Sequence, residues 1–205
     1  MKIAWIDKET GGLDPKLHDI TQIAAILEID GRIVDELNLL VRPTSADRVS
    51  QEALDITKKT LEQVMAHPLS MVEAHAALVG ALARFVNKYD REDKFIWAGQ
   101  VPRFDMDFGR EMFRRVGDAY FGSWFWPNPA DLSGLVMALR MMGHFPKLKN
   151  CKLASVAEEL KITHDAHEAM SDIRVTRKAF YHCARMVKAP DPVLGQQDLL
   201  AYKGE

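Results

Sequence analysis

Residues 2–12 read KIAWIDKETGG, and the order of side chains in this stretch decides the fold. The apolar run rich in Ile and Trp reads as a short β-strand over 2–7. Strand side chains alternate between faces. If the strand continues, Ile3, Trp5, Asp7 and Glu9 share one face, and Ala4, Ile6 and Lys8 share the other. Two carboxylates then stand together at the end of an otherwise apolar face. Held that close they repel, and one would take up a proton unless something positive sat between them. A divalent cation that prefers oxygen ligands, Mg²⁺ or Mn²⁺, answers that problem. Taken alone, the D-x-E reads at least as readily as a solvated strand end with salt-bridged acids.

Outward from this strand, ITQIAAILEIDGRIVDELNLLV (20–41) holds two apolar runs split by Asp30-Gly31, a strong hairpin signal. Pro43 ends that pairing. Residues 50–65 and 70–88 carry apolar side chains at helical spacing, KFIWAG (94–99) reads as a fourth strand, and 103–116 as a helix. The aromatic WFWPNP (124–129) reads as a strand end or loop, with core packing favoured over base stacking for its rings. Residues 130–142, 152–160 and 167–187 are helical in pattern. Strands first, then alternating helices and strands, predict a mixed α/β sheet with helices on its faces.

The whole chain has 205 residues, 47% hydrophobic and 27% charged, which suits one globular domain with a sizeable core. We expect that domain over 1–187, followed by an extended or mobile C-terminal tail over 188–205 that holds Pro190 and Pro192. A net charge of −2 excludes the overall basic excess of a protein that coats nucleic acid, though not a local basic rim. Cys151 and Cys183, without a C-x-x-C, read as reduced thiols. The N-terminus carries no charged-then-apolar leader, and no run approaches the ~18 apolar residues of a membrane span. A cytoplasmic protein with no membrane partner is expected.

Two more acids stand out. On helix 167–187, Ala169, Val175, Ala179, Cys183 and Met186 form a mostly apolar stripe, and Asp172 falls on it. A carboxylate there needs a partner or a metal. His167, five residues earlier, stands near the helix start, where it reads as a group at a site mouth or as a surface or capping histidine. After the fourth strand, Asp105 aligns with Phe108, Gly109 and Met112 on the packed side of its helix, whereas Asp107 aligns with Arg110, Glu111 and Arg114 on a solvent face. Asp105 is therefore the better ligand candidate, the alternative being a helix N-terminal acid favoured by the dipole.

Asp7-Lys8-Glu9-Thr10-Gly11-Gly12, Phe104-Asp105 and His167-Glu168-Ala169-Met170-Ser171-Asp172, in that order, resemble the three motifs of the DEDD (DnaQ-like) 3′–5′ exonucleases. The histidine five residues before the last Asp makes the chain similar to the histidine branch, which includes proofreading epsilon subunits and RNase T-type enzymes. The resemblance spans roughly residues 2–187. It implies an RNase H-like mixed sheet of about five strands. It also implies two divalent ions, Mg²⁺ or Mn²⁺, held by Asp7, Glu9, Asp105 and Asp172, with His167 as general base on the attacking water. Thr10, Gly11, Gly12, Leu13 and Phe104 would then meet the 3′ end, the glycines letting the backbone approach closely and Leu13 and Phe104 packing on the terminal base. For Phe104, core packing is an equal or better reading.

The implied substrate is the 3′ end of single-stranded nucleic acid, DNA slightly ahead of RNA, released as nucleoside 5′-monophosphates. A polymerase or a second copy of the chain are the partners the family suggests. Arg103, Arg110, Arg114, Arg115, Lys147, Lys149, Lys152, Arg174, Arg177 and Lys178 would either track the phosphate backbone or cover solvated helix faces. The chain departs from the family where Gly11 replaces a usual Thr or Ser, where Gln100-Val101 replaces His-Asn, and where Gln22-Ile23 replaces an acid. A competing reading keeps the nuclease fold but gives it a binding or polymerase-docking role with little turnover.

Overall fold

The computed structural model describes residues 1–164 and 168–187. His167 and the expected tail over 188–205 lie outside the described residues. The expected first strand is longer than its apolar run: β1 spans Lys2–Thr10, so the alternation does carry through Asp7 and Glu9. β2 (Ile20–Ile29) and β3 (Arg32–Leu40) form the predicted hairpin. Its turn residues Asp30 and Gly31 both have positive φ, 49° and 81°, as a two-residue turn matched to strand twist requires.

The stretch 50–65 is not one helix. It divides into α1 (Gln51–Thr57) and α2 (Leu61–Met65), because Lys58 turns left-handed and Thr60 opens a new capping box with Gln63. α3 is Met71–Ala83, started by a second capping box from Ser70 and Glu73 and shorter than the 70–88 pattern. Then come β4 (Ile96–Gly99), α4 (Pro102–Arg115) and a single helical turn, α5 (Phe121–Trp124). The expected strand end or loop over 124–129 holds apart from Trp124, which closes α5: Phe125 bridges to Phe95 and 126–129 is loop. Trp124 and Phe125 are buried, as the core reading of these rings expects. β5 is only Ala130–Asp131, too short to carry a period of its own. α6 (Leu132–Met141), α7 (Leu153–Glu159) and α8 (Ala169–Met186) complete the described chain.

The five strands order as β3-β2-β1-β4-β5. β1 pairs antiparallel with β2 and parallel with β4, which pairs parallel with β5. The period-two split of β1 becomes two cores. Ile3 and Trp5 pack with Ala24, Ile26 and Ala98 beneath Ala169, Met170 and Ile173 of α8. Ala4 and Ile6 pack on the other side with Ala74, Leu78 and Leu82 of α3 and Met106, Phe108 and Phe113 of α4. A third cluster joins Val136 and Leu139 of α6 to Val156 of α7 and Ala179 and Cys183 of α8. Among the described residues, no helix is long and apolar enough to cross a membrane.

Candidate active site

The central strand β1 delivers Asp7 and Glu9 past the edge of the α8-side core, where the register sets Asp7 beside Ala24 and Glu9 beside Gln22 of β2. A register shift between Glu9 and Thr10 ends the regular pairing there. From below, the first turn of α8 raises Asp172, one turn past Ala169 and next to Ile173, both fully buried. Carboxylate oxygens of Asp7, Glu9 and Asp172 all lie within 4.8 Å of one another, a geometry that could hold a divalent ion. Asp105 arrives from the other side of the sheet, in the first turn of α4, and is 4% exposed.

The electrostatics match that geometry. Burial pushes the Asp7 carboxyl well above the usual carboxylate range, and the charges of Asp105, Glu9 and Asp172 push it further. Burial likewise raises Asp105 to about 7, against the lowering effect of the Lys8 charge and of a hydrogen bond from the Lys8 main chain to its carboxylate. A cluster so short of positive charge favours either protons or a divalent cation. The all-oxygen donor set fits a hard ion such as Mg²⁺ or Mn²⁺.

Two neighbours of Asp172 come from outside the expected set. Nε2 of His164 lies 2.6 Å from Oδ1 of Asp172, so this histidine, three residues before His167, is part of the cluster. Glu168 caps α8 by accepting from the Ser171 N–H at 2.7 Å, and its other oxygen accepts from Gln22 Nε2 at 2.9 Å. Gln22, where the family often has an acid, thus ties the α8 start to β2. At the other noted departure, Gln100 donates to Ser133 Oγ at 2.7 Å and to the Cys151 carbonyl at 2.6 Å, pinning the end of β4 to α6 and the 150s loop.

Beside the acids opens a cavity of about 380 Å³, lined by Glu9, Thr10, Gly12, Leu13 and Phe104 together with His18, Ala53, Ile56 and Thr57. Leu13 is 80% exposed, and Ile56 of α1 also projects from the surface. Phe104 serves both readings offered for it: its ring packs 5.0 Å from Phe108 and also lines the cavity. The two glycines also have a packing role, while Gly12 lines the cavity. A Cβ on Gly11 would stand 2.3 Å from the Arg48 carbonyl oxygen, and one on Gly12 2.5 Å from the His18 ring. Their missing side chains serve close packing of the loop, and Gly11 does not line the cavity.

The loop is held from behind by buried Asp19. Its carboxylate accepts from Arg48 Nε at 3.0 Å, from the Thr44 N–H and hydroxyl at 2.7 and 2.6 Å, and from Arg115. These donors hold its pKa below the ordinary carboxylate value despite burial. The Gly11 N–H in turn donates to the Asp19 carbonyl at 2.7 Å. Nothing local in the sequence marks this clamp, since its members come from three separated segments. Of the basic residues expected to rim the site, Arg110 and Arg114 pair with Asp107 and Glu111 on their own helix, Arg115 with Asp19, Arg174 with Glu36 and Arg177 with Glu28. For these five the structure favours the solvated-face or clamp role over a phosphate track.

A family model described as Exonuclease matches residues 4–180. Proteins named DNA polymerase III PolC-type from Thermotoga petrophila and Thermotoga maritima are 28% identical over 191 residues and 31% identical over 185. Each alignment takes in 89% of this chain and 12% of the relative. Among solved structures, E. coli exonuclease I in complex with a dT13 oligonucleotide superposes with a TM-score of 0.71 at 20% identity, over 98% of this chain and 43% of that one. A product-bound structure of exonuclease I gives 0.71 at 21% identity, over 90% and 43%. The chain therefore spans about an eighth of the polymerases and under half of exonuclease I. It shares the fold of the latter, the RNase H-like mixed sheet expected above.

Proposed function

This chain belongs to the RNase T-type exonuclease family of DEDD nucleases, and on that basis we propose that it is a metal-dependent exonuclease that removes nucleotides from the 3′ end of single-stranded nucleic acid, DNA ahead of RNA, as nucleoside 5′-monophosphates. The observation that carries the reading is the approach of the Asp7, Glu9 and Asp172 carboxylates to within 4.8 Å, with an apolar cavity at their side.

Asp7, Glu9 and Asp172 would hold two divalent ions together with Asp105. Bound there, such ions neutralise charge on the scissile phosphodiester and acidify a water. The chain's own groups do the positioning. Leu13, Ile56 and Phe104 offer apolar contact to the terminal base. Thr10, whose hydroxyl donates to the Gly12 carbonyl at 2.7 Å, shapes the turn over which the sugar and phosphate lie. His167, as in the histidine branch, takes the proton of the attacking water, a role that the ordinary imidazole pKa of ~6.5 suits near neutral pH. Residues 1–187 form the exonuclease domain in this reading.

A second reading, that the domain works beside a polymerase as a proofreading unit, is favoured by its likeness to a segment of PolC-type polymerases. One time course tests both. The purified chain is incubated with 5′-labelled single-stranded DNA and RNA in Mg²⁺, Mn²⁺ or EDTA. A ladder shortening by one nucleotide from the 3′ end, lost in EDTA and in Asp7→Ala, is expected. Tight binding without cleavage would move the answer to a docked module, and internal cleavage would reject exonuclease action.

A further inference from the structure

Lys8 stands between Asp7 and Glu9 on β1, yet its side chain leaves on the opposite face and is only 6% exposed. A buried ammonium in a core is costly unless paired. Its Nζ donates to the main-chain carbonyl of Asp105 at 2.6 Å and sits 4.2 Å from the centre of the Trp97 ring. The helix makes room for this arrangement. A Cβ on Gly109, one turn after Asp105, would stand 3.1 Å from Lys8 Nζ, with Phe121 and Trp97 equally close.

From this geometry we infer that Lys8 is a positioning residue of the metal site. It grips the first turn of α4 through the Asp105 carbonyl and sets that residue's carboxylate against the strand that carries Asp7 and Glu9. Sheet pairing cannot do this, because the β1–β4 register runs only from Ile3–Ile96 to Trp5–Ala98, before the acids begin. One residue thus fixes the relation between three carboxylates: two flank it in the chain and the third is held by it. Its charge also offsets part of the repulsion within the cluster. The inference rests on the metal-dependent reading proposed above.

The test is calorimetric titration of Mn²⁺ into the wild-type chain, Lys8→Met, Asp105→Asn and the double variant, with thermal unfolding in EDTA as a check of the fold. Removing a cation by electrostatics alone would tighten Mn²⁺ binding. The positioning role predicts the reverse, a weakening of about tenfold in Lys8→Met, the scale typical of groups that orient metal ligands. It also predicts less than about a twofold effect of Lys8→Met in the Asp105→Asn background, since coupled residues are non-additive. Unchanged or tighter binding in Lys8→Met, or equal weakening in both backgrounds, overturns the inference. If Lys8→Met does not fold, Gly109→Ala, which crowds the ammonium without touching an acid, is expected to weaken binding in the same Asp105-dependent way, and unchanged affinity overturns the inference. A wild-type chain that binds no Mn²⁺ overturns the metal-dependent reading itself and this inference with it, whereas wild-type binding with an indifferent Lys8 removes only the latter.

Discussion

Gln22 Nε2 donates to Glu168 Oε1 at 2.9 Å, joining the second strand to the N-cap of the helix that carries Asp172. The bond is long-range in sequence, and it sets how deep that helix seats against the sheet. Gln22 is 2% exposed, so water does not compensate for its loss. Glu168→Ala removes both the cap and this tie, and we expect it to destabilise the fold by about 1–2 kcal/mol. Gln22→Glu should be worse than Gln22→Ala, because it opposes Glu168 with a like charge that Lys59, 3.4 Å from Gln22 Oε1, offsets only in part. Urea unfolding of the three variants at low salt checks the order.

Val101 begins α4 in the left-handed region, with φ 53° and ψ 50°. A β-branched side chain is disfavoured there, at a penalty of roughly 1–2 kcal/mol. Its N–H donates to Asp131 Oδ1 at 3.1 Å, which holds the strained conformation, and its side chain is 52% exposed. Val101→Asn or Val101→Gly should therefore stabilise the chain by about 1 kcal/mol. A lower denaturation midpoint for both variants would show that the side chain packs better than its exposure suggests.

Acid stability has two opposed contributions. Asp19 is held below its ordinary pKa by Arg115, Thr44 and Arg48, so its contribution is present above about pH 4 and is lost as pH falls through the folded-state value. Asp105 is raised to about 7, so its contribution is full below about pH 4 and is lost as pH rises toward 7. In EDTA the chain should be most stable at mildly acidic pH and weaken toward neutrality. Asp105→Asn should recover at least ~1 kcal/mol of that neutral-side loss, one pKa unit's worth. Millimolar Mg²⁺ should recover it in the wild-type chain, since an ion bound only by the folded state stabilises by mass action. Thermal midpoints from pH 4 to 9 with and without metal test the sign.

Gly11→Ala drives a methyl toward the Arg48 carbonyl, which is main chain and has little room to move. A loss of roughly 1–3 kcal/mol is expected, as for overpacking elsewhere. By contrast Leu13→Ala should leave stability within ~0.5 kcal/mol, the usual range for a surface position. It should nevertheless raise KM for an oligonucleotide several-fold, because Leu13 lines the cavity while 80% exposed. Equal KM for wild type and Leu13→Ala would remove this residue from the substrate contact.

The period of two in residues 3–9 was enough to place Asp7 and Glu9 on one face, and the helical period was enough to put Asp105 on the packed side and Asp172 on the core stripe, because side-chain direction along a strand or helix is a local property of the backbone. The Asp30-Gly31 turn was legible for the same reason. What lay beyond local reading was everything decided by contacts between distant segments. That Lys8 enters the core depends on Gly109 and Trp97, about a hundred residues away, and that Asp19 clamps the site loop depends on Thr44, Arg48 and Arg115. The break at Lys58 and the two-residue strand β5 likewise follow from packing and pairing, which no short window of sequence contains. The sequence determined which carboxylates could meet. Only the tertiary structure, through long-range hydrogen bonds and close packing of glycines, decided how they are held.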